Sequence, residues 1–261
     1  MVVDNRPGAG TIIGTELVVR ATPDGHTLLV VAAGITVNPS IYKRIPYDTE
    51  RDLAPVTQLT RFANMLVAHP SFAVKSLQDL LALAKAKPGT INYASAGLAS
   101  GTHMSMELLK TMTGIDLVHV PYTGGGPAVT AAIGGQVPLN IGTTVGVLPH
   151  VRSGRLRAIA VTSAKRTAAA PDVPTFSESG VPGYDHAPWN GMFAPAKTPP
   201  AVIEKIHAGV ARALQSPEVQ KVFANEGVEV VANKSDEFAA LVRGELAMWP
   251  RVVKAAGIKA E

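Results

Sequence analysis

Cysteine is absent from all 261 residues. That excludes thiolate metal sites, disulfides and a thiol nucleophile, and leaves the redox compartment open. Aromatic side chains are scarce at 5%, so few platforms exist on which bases could stack. Neither sign of charge dominates: 24 Lys and Arg stand against 20 Asp and Glu, a formal charge of +4. The basic residues are scattered rather than gathered into a block, so no nucleic-acid-binding arm is expected. No apolar run reaches the ~18 residues that a membrane-spanning helix needs. What the chain does have is 46% hydrophobic against 17% charged residues, the balance of a folded protein. Its length allows a good core and two domains.

Short apolar runs alternate with amphipathic ones. Strands are predicted at Thr27–Ala32, Met65–Ala68, Ile91–Ala94, Leu117–Val120, Val137–Ile141, Leu156–Thr162, Met192–Ala194 and Val228–Val231. Several helices announce their starts. Ser76-Leu77-Gln78-Asp79 has the form of a capping box. Thr198-Pro199-Pro200 and Ser216-Pro217-Glu218 put proline just inside a helix. Ser235-Asp236-Glu237 loads carboxylates into the first turn of a last helix reaching about Ala256. This alternation predicts an α/β fold with mostly parallel strands. Two extended stretches without helix signals, Gln58 to Met65 and Gly183 to Ala194, read as crossings between two lobes. A cleft between lobes is a favoured place for a small-molecule site.

The front of the chain has neither a basic n-region nor an apolar h-region, so no signal peptide is read there. Met1-Val2-Val3-Asp4 reads as the end of a strand, and something upstream is therefore expected to be missing. If the start is genuine, a cytoplasmic location follows.

The most informative stretch is Ile91 to His103. An apolar strand passes through Ala94-Ser95-Ala96-Gly97-Leu98-Ala99-Ser100-Gly101 into a helix led by Met104, Leu108 and Met112. Small residues let backbone N–H groups approach a ligand, and a helix N-terminus offers more of them. This geometry suits a carboxylate or a phosphate. It equally suits a tight strand-to-helix turn that holds nothing.

Other constellations fail on spacing. Gly8-Ala9-Gly10-Thr11-Ile12-Ile13-Gly14 misses the dinucleotide fingerprint by one residue. Gly124-Gly125-Gly126-Pro127 lacks a Walker lysine; it is either a loop before a helix over Ala128–Ile133 or a backbone donor to a ligand. Neither Ser95 nor Ser100 stands in a nucleophile elbow. The seven histidines show no metal-binding pairing, and most read as surface or core-edge residues. Asp4, Asp24, Asp48 and Asp52 lie beside turn residues and read as Asx caps. Trp189 and Trp249 read as packing residues, with a cleft role open to Trp189 alone.

A set of motifs carries a resemblance over nearly the whole chain. They are Val3-Asp4-Asn5-Arg6-Pro7-Gly8-Ala9-Gly10, Pro23-Asp24-Gly25-His26-Thr27-Leu28-Leu29, Tyr47-Asp48, Asp52-Leu53-Ala54-Pro55-Val56-Thr57 and Asn92-Tyr93-Ala94-Ser95-Ala96-Gly97. Then follow His119-Val120-Pro121-Tyr122-Thr123-Gly124, Gly134-Gly135-Gln136-Val137, Pro174-Thr175, Glu178-Ser179-Gly180, Trp189-Asn190-Gly191, Ala194-Pro195-Ala196-Lys197-Thr198-Pro199 and the tail around Trp249. In this order and spacing they resemble the extracytoplasmic solute receptors of tripartite tricarboxylate transporters, the Bug family.

The resemblance implies a two-lobed, type II periplasmic-binding-protein fold closing like a flytrap on a ligand cleft. The first lobe would comprise residues 1–64 and 192–261, N-terminally incomplete, with residues 65–191 inserted as the second. The implied ligand is a small carboxylate: a di- or tricarboxylic acid, an acidic amino acid or an aromatic acid, held by backbone N–H groups and ordered water. The second-lobe loop maps onto Ser95, Ala96, Gly97, Ser100, Gly101 and Thr102, with Tyr122, Thr123 and Gly124 beside the cleft. Gly34, Ile35 and Thr36 would face it from the first lobe. A periplasmic monomer is implied that serves the membrane subunits of the transporter, with no cofactor, no metal, no nucleic acid and no catalysis. Two departures stand out. Pro138 replaces the acidic residue usual after Gly-Gly-Gln-Val, so Asn140 to Thr144 would differ in the cleft. The family's first strand, glycine-rich first loop and following helix have no counterpart. Two alternatives remain: a hydrolase using Ser95 or Ser100 with His103, and a truncated, non-binding relic of the receptor.

Overall fold

The computed structural model describes residues 2–6, 8–225 and 227–258. Met1 and Pro7 of the front motifs lie outside the described residues. In chain order the elements are α1 (Ile12–Val19), β1 (Leu29–Ala32), α2 (Gly34–Ile41), α3 (Thr49–Asp52), β2 (Leu53–Phe62), β3 (Asn64–Ala68), α4 (Leu77–Ala86), β4 (Asn92–Ser95) and α5 (Gly101–Thr113). They continue with β5 (Val118–Pro121), α6 (Gly125–Ile133), β6 (Leu139–Thr143), α7 (Thr144–Arg152), β7 (Arg157–Val161), β8 (Trp189–Pro195), α8 (Pro200–Leu214), α9 (Pro217–Asn225), β9 (Val228–Val230) and α10 (Ser235–Ala255). The chain divides into two compact units. Unit 1 is Met1–Arg61, Trp189–Phe223 and Glu229–Glu261; unit 2 is Phe62–Pro188 with Ala224–Val228.

Unit 1 is built on a four-stranded sheet of order β1-β8-β2-β9. Both β1 and β2 run antiparallel to β8, with Leu29 opposite Phe193 and Leu53 opposite Pro195. Along α10, Phe238, Val242, Glu245, Trp249, Val252 and Val253 are buried, a spacing of three and four that forms one helical stripe. Its N-terminal part joins Leu29, Val31, Ile35, Trp189 and Phe193 in a core cluster. Burying each large side chain there contributes about 1.5–3 kcal/mol. Gly191 is fixed by this packing: a Cβ there would lie 2.2 Å from the Phe238 ring. Trp189 is a core residue, meeting Phe238 edge-on at 5.1 Å. Val2 and Val3, expected to end a strand, carry no strand assignment and are exposed; no neighbouring strand among the described residues pairs with them.

Unit 2 is built on a five-stranded sheet of order β5-β4-β6-β3-β7. Strand β4 runs parallel to β5 and to β6, whereas β3 runs antiparallel to β6 and β7. The expectation of mostly parallel strands is therefore corrected: antiparallel ladders dominate in unit 1 and flank β3 in unit 2. The physical reason is the connections. No helix precedes β3 or β8 directly, so neither is the second strand of a βαβ crossover, which is the device that makes neighbours parallel.

Candidate functional site

The parallel part of the unit 2 sheet decides where its helices begin. Strands β5, β4 and β6 point the same way, and each is followed by a helix, α6, α5 and α7 respectively. Three helix N-termini therefore gather at one edge of the sheet. The chain passes from β4 to β5 on one side, then returns to β6 on the other side of β4. This is a switch point in strand order, where right-handed crossovers put successive helices on opposite faces and open a crevice beyond the strand ends. The side chains agree. Tyr93, Ser95 and His119 share the α5 face through their contacts, whereas Ala94 packs with Ala128 of α6.

At this edge the loop Ala96–Ser100 is organised by its own side chains. Ser100 is the N-cap of α5, accepting from the His103 amide at 3.2 Å and donating to the Gly97 carbonyl at 2.8 Å. The Thr102 hydroxyl accepts from the Ala96 amide at 3.0 Å, and the Ser95 hydroxyl accepts from the Gly97 amide at 3.1 Å. The Ala99 amide donates to His103 Nδ1 at 3.0 Å. Gly97 takes φ +129°, and a Cβ there would stand 3.0 Å from the Tyr122 carbonyl oxygen. The Tyr122 amide in turn donates to the Ser95 carbonyl at 3.2 Å. Ser95 to Thr102 and Tyr122 thus come together. Thr123 and Gly124 follow Tyr122 directly, and α6 starts at Gly125, earlier than expected, so Gly125 and Gly126 form its first turn.

Most loop amides are thereby occupied. Among the described residues, the N–H groups of Leu98, Gly101 and Thr102 have no recorded acceptor, and neither do those of Gly125 and Gly126. All five belong to the loop or to the first turns of α5 and α6, where the helix dipole favours negative charge. Chemically this edge offers neutral donors with partial positive charge, which suits a carboxylate oxygen.

Beneath the loop lies a buried polar cluster that spacing only half announced. His119 bonds Ser95 Oγ through Nε2 at 2.6 Å and stacks on His103 with ring centres 3.8 Å apart. Burial, then the neighbouring His103, hold the His119 imidazole down to about 4. Glu107 Oε1 accepts from the Tyr93 hydroxyl at 2.7 Å and from Lys110 Nζ at 3.0 Å, and lies 3.5 Å from His103 Nε2. Burial works to raise Glu107, but His103, Tyr93 and Lys110 outweigh it and hold the carboxyl below its usual range. Burial and the Glu107 charge raise the Tyr93 phenol far above its ordinary value. His103 and Glu107 stand at i and i+4 of a helix, a signal the sequence did contain; His119 comes from another strand and gave none. His103 and His186 are buried, and the other five histidines are exposed or partly buried, in keeping with the reading that most lie at the surface or the core edge.

In unit 1, Gly34 opens α2 without a side-chain cap. Ile35 is fully buried in the core. The Thr36 hydroxyl lies 2.7 Å from both the Ala33 carbonyl and Glu245 Oε2, while Trp189 Nε1 donates to Glu245 Oε1 at 2.9 Å. The side chains of Ile35 and Thr36 thus build the unit. Of the Asx caps, Asp24 accepts from the His26 amide and Asp48 from Glu50 and Arg51. A cavity of about 150 Å³ in unit 2 lies at the start of α7, against Phe62, Ala63, Thr143–Val145 and Gly227–Val228; its lining includes none of the Ser95–Thr102 residues. Among the described residues no group of three His, Asp or Glu side chains is placed to hold a metal ion, and no helix is long and apolar enough to cross a membrane.

The sequence matches the profile of the tripartite tricarboxylate transporter family receptor over residues 1–258. The chain belongs to this receptor family. Protein BugT of Bordetella pertussis is 37% identical over 261 residues, 99% of this chain and 80% of that protein. A Pseudomonas sp. (strain P51) protein encoded in the tcbD-tcbE intergenic region is 35% identical over 97% of this chain and 76% of its own length. Among solved structures, an R. palustris protein with adipate is 33% identical with a TM-score of 0.82, covering 100% of this chain and 87% of that one. MatC from Rhodopseudomonas palustris with bound malate is 32% identical with a TM-score of 0.76, covering 94% and 85%. The tricarboxylate-transporter receptors are solute-binding proteins rather than enzymes, and their α/β periplasmic-binding-protein fold with two sheets is the fold of this chain. The hydrolase alternative falls with this assignment. The geometry agrees: the Ser100 hydroxyl caps α5, and His103 Nδ1 already holds the Ala99 amide.

Proposed function

We propose that this receptor captures a small carboxylate, of the dicarboxylic class to which adipate and malate belong, at the edge of unit 2 where α5 and α6 begin. One observation carries the reading. The amides of Leu98, Gly101 and Thr102 at the start of α5, and of Gly125 and Gly126 at the start of α6, are left over at a switch point of the sheet. Within the site, Ser95, Ala96, Gly97 and Ser100 shape the loop while Gly101 and Thr102 donate to the ligand. Tyr122, Thr123 and Gly124 lead into the second donor turn. Gly34, Ile35 and Thr36 belong to the same function through the backbone that opens α2. In this reading the protein works as a monomer in the periplasm and hands its ligand to the membrane subunits of a tripartite transporter.

A dicarboxylate at about 100 times its dissociation constant should add roughly 2.7 kcal/mol of stability, read as a thermal shift. Gly126→Asp is the sharper probe. A Cβ at Gly126 meets nothing within 4 Å, and a carboxylate in the first turn of α6 stabilises that helix by about 0.3–1 kcal/mol. The same charge repels an anionic ligand. The variant should keep or raise its melting temperature and lose affinity on the order of tenfold, about 1.4 kcal/mol. Undiminished affinity in the folded variant would move the ligand away from α6. No thermal shift with any di- or tricarboxylate, acidic amino acid or aromatic acid would remove the ligand class.

A further inference from the structure

The loop that offers its amides to a ligand is tied down from behind by a single ring. His103 Nδ1 accepts the Ala99 N–H at 3.0 Å, so that nitrogen carries no proton in this arrangement. Ala99 itself is held at φ +58°, a left-handed conformation that is unfavourable for an alanine and needs something to maintain it. On its other side the ring directs Nε2 at Glu107 Oε1, 3.5 Å away. Glu107 is anchored by the Tyr93 hydroxyl and Lys110. The loop backbone, the imidazole and a buried carboxylate thus form a continuous chain of contacts.

We propose that His103 is a positioning residue for carboxylate binding: by holding the Ala99 amide on Nδ1 it keeps the Leu98, Gly101 and Thr102 N–H groups available to the ligand, and acidification releases the loop. This rests on the reading that the Ser95–Thr102 loop seats a carboxylate. The step is a simple protonation. A proton from solvent added to Nδ1 sets an N–H donor against the Ala99 N–H donor, so the bond is lost and the left-handed residue loses its support.

The ring is surrounded by charged and titratable groups. Glu107 lies on its own helix and is bonded to Lys110 of that helix, and His119 from β5 stacks on the ring at 3.8 Å. From β4, Tyr93 stacks with His119 at 5.1 Å and donates to Glu107. Ser95 belongs to the same arrangement, since its hydroxyl joins His119 to the Gly97 amide. The two stacked imidazoles therefore serve two consecutive stretches of the loop: His119 through Ser95 and Gly97, His103 through Ala99.

The test compares His103→Asn, whose side-chain oxygen reproduces the Nδ1 acceptor without titrating, with His103→Leu, which removes it. Without ligand, long-range proton–nitrogen NMR at pH 7.5 should find His103 Nδ1 unprotonated, and the Ala99 amide should exchange slowly. His103→Leu should speed Ala99 exchange while the amides of β3 remain protected, and His103→Asn should not. With malate and adipate as probes, His103→Leu should weaken affinity about two- to tenfold, the worth of one neutral hydrogen bond. His103→Asn should bind like the wild type at pH 7.5 and lose less affinity than it between pH 7.5 and 5. The proposal is overturned by a folded His103→Leu protein with unchanged Ala99 exchange, by one with wild-type affinity, or by identical pH profiles for wild type and His103→Asn. Should His103→Leu not fold, the NMR signal and the His103→Asn profile decide. If neither dicarboxylate binds the wild type, the ligand assignment fails on its own, and the Nδ1 and Ala99 signals still judge the positioning role.

Discussion

Gly97 shows how much one residue can fix. Its φ of +129° and the Tyr122 oxygen 3.0 Å from where a Cβ would stand leave only glycine unstrained. Gly97→Ala should therefore destabilise unit 2 by about 1–3 kcal/mol and weaken carboxylate binding with it, as read by urea unfolding and titration calorimetry. A variant as stable as the wild type would mean the loop accommodates a side chain by moving. Gly97→Asp would be a poor probe of anion binding, because backbone strain and charge act together. At this scale the sequence was legible only in outline. The small residues from Ala94 to Gly101 marked a place where backbone approaches a ligand. They did not reveal that the hydroxyls of Ser95, Ser100 and Thr102 would occupy amides of their own loop. Which hydroxyl meets which amide follows from the left-handed turn at Ala99 and the twist at Gly97, and composition does not encode those angles.

Helices with side-chain start signals were the readable elements. Ser76 and Asp79 form the reciprocal capping box their spacing announced, with Ser76 Oγ accepting from the Asp79 amide at 3.1 Å and Asp79 accepting from the Ser76 amide at 3.0 Å. The helices opened by Pro200, Pro217 and Ser235 also begin as predicted. Helices α1, α2 and α7, all without a side-chain cap bond, were missed; α2 and α7 also carry an internal proline, Pro39 and Pro149. Both are held by what they pack against, and propensity yields to such contacts. The sheet order was unreadable for a related reason: alternation tells that a helix follows a strand, not beside which strand the chain returns. A prediction separates local from functional contributions here. Ser76→Ala removes the cap of α4 and should cost about 0.5–2 kcal/mol in stability. Because α4 supplies none of the proposed donors, affinity for malate should stay unchanged once the protein is folded. A parallel loss of affinity would show that α4 is coupled to the anion loop.

Across the molecule, the buried histidines sit in one of the two units. His186 is held down to about 4 by burial, with Nδ1 2.7 Å from Ser105 Oγ, and His119 is likewise held at about 4, chiefly by burial. Both belong to unit 2. A histidine whose folded value lies below its unfolded value of 6.5 leaves the unfolded chain binding more protons between those two values. Stability is then complete above about pH 6.5 and falls as pH drops toward about 4. For His186, which is buried, the loss over that window is on the order of a few kcal/mol. In unit 1, Asp52 is lowered to about 2, chiefly by its hydrogen bond with Arg51. Its contribution is present above the usual carboxylate range and fades only as pH falls toward 2, so it does not change between pH 7 and 5. Mild acid should thus loosen unit 2 first. Hydrogen exchange, corrected for intrinsic rates, should show opening free energies of β3, β4 and β6 falling between pH 7 and 5, with those of β1, β8 and α10 nearly constant. His186→Gln, which keeps a polar partner for Ser105 but does not titrate, should flatten much of the unit 2 response. Equal losses in both units, or a His186→Gln protein that responds like the wild type, would show that acid acts through something other than these buried rings.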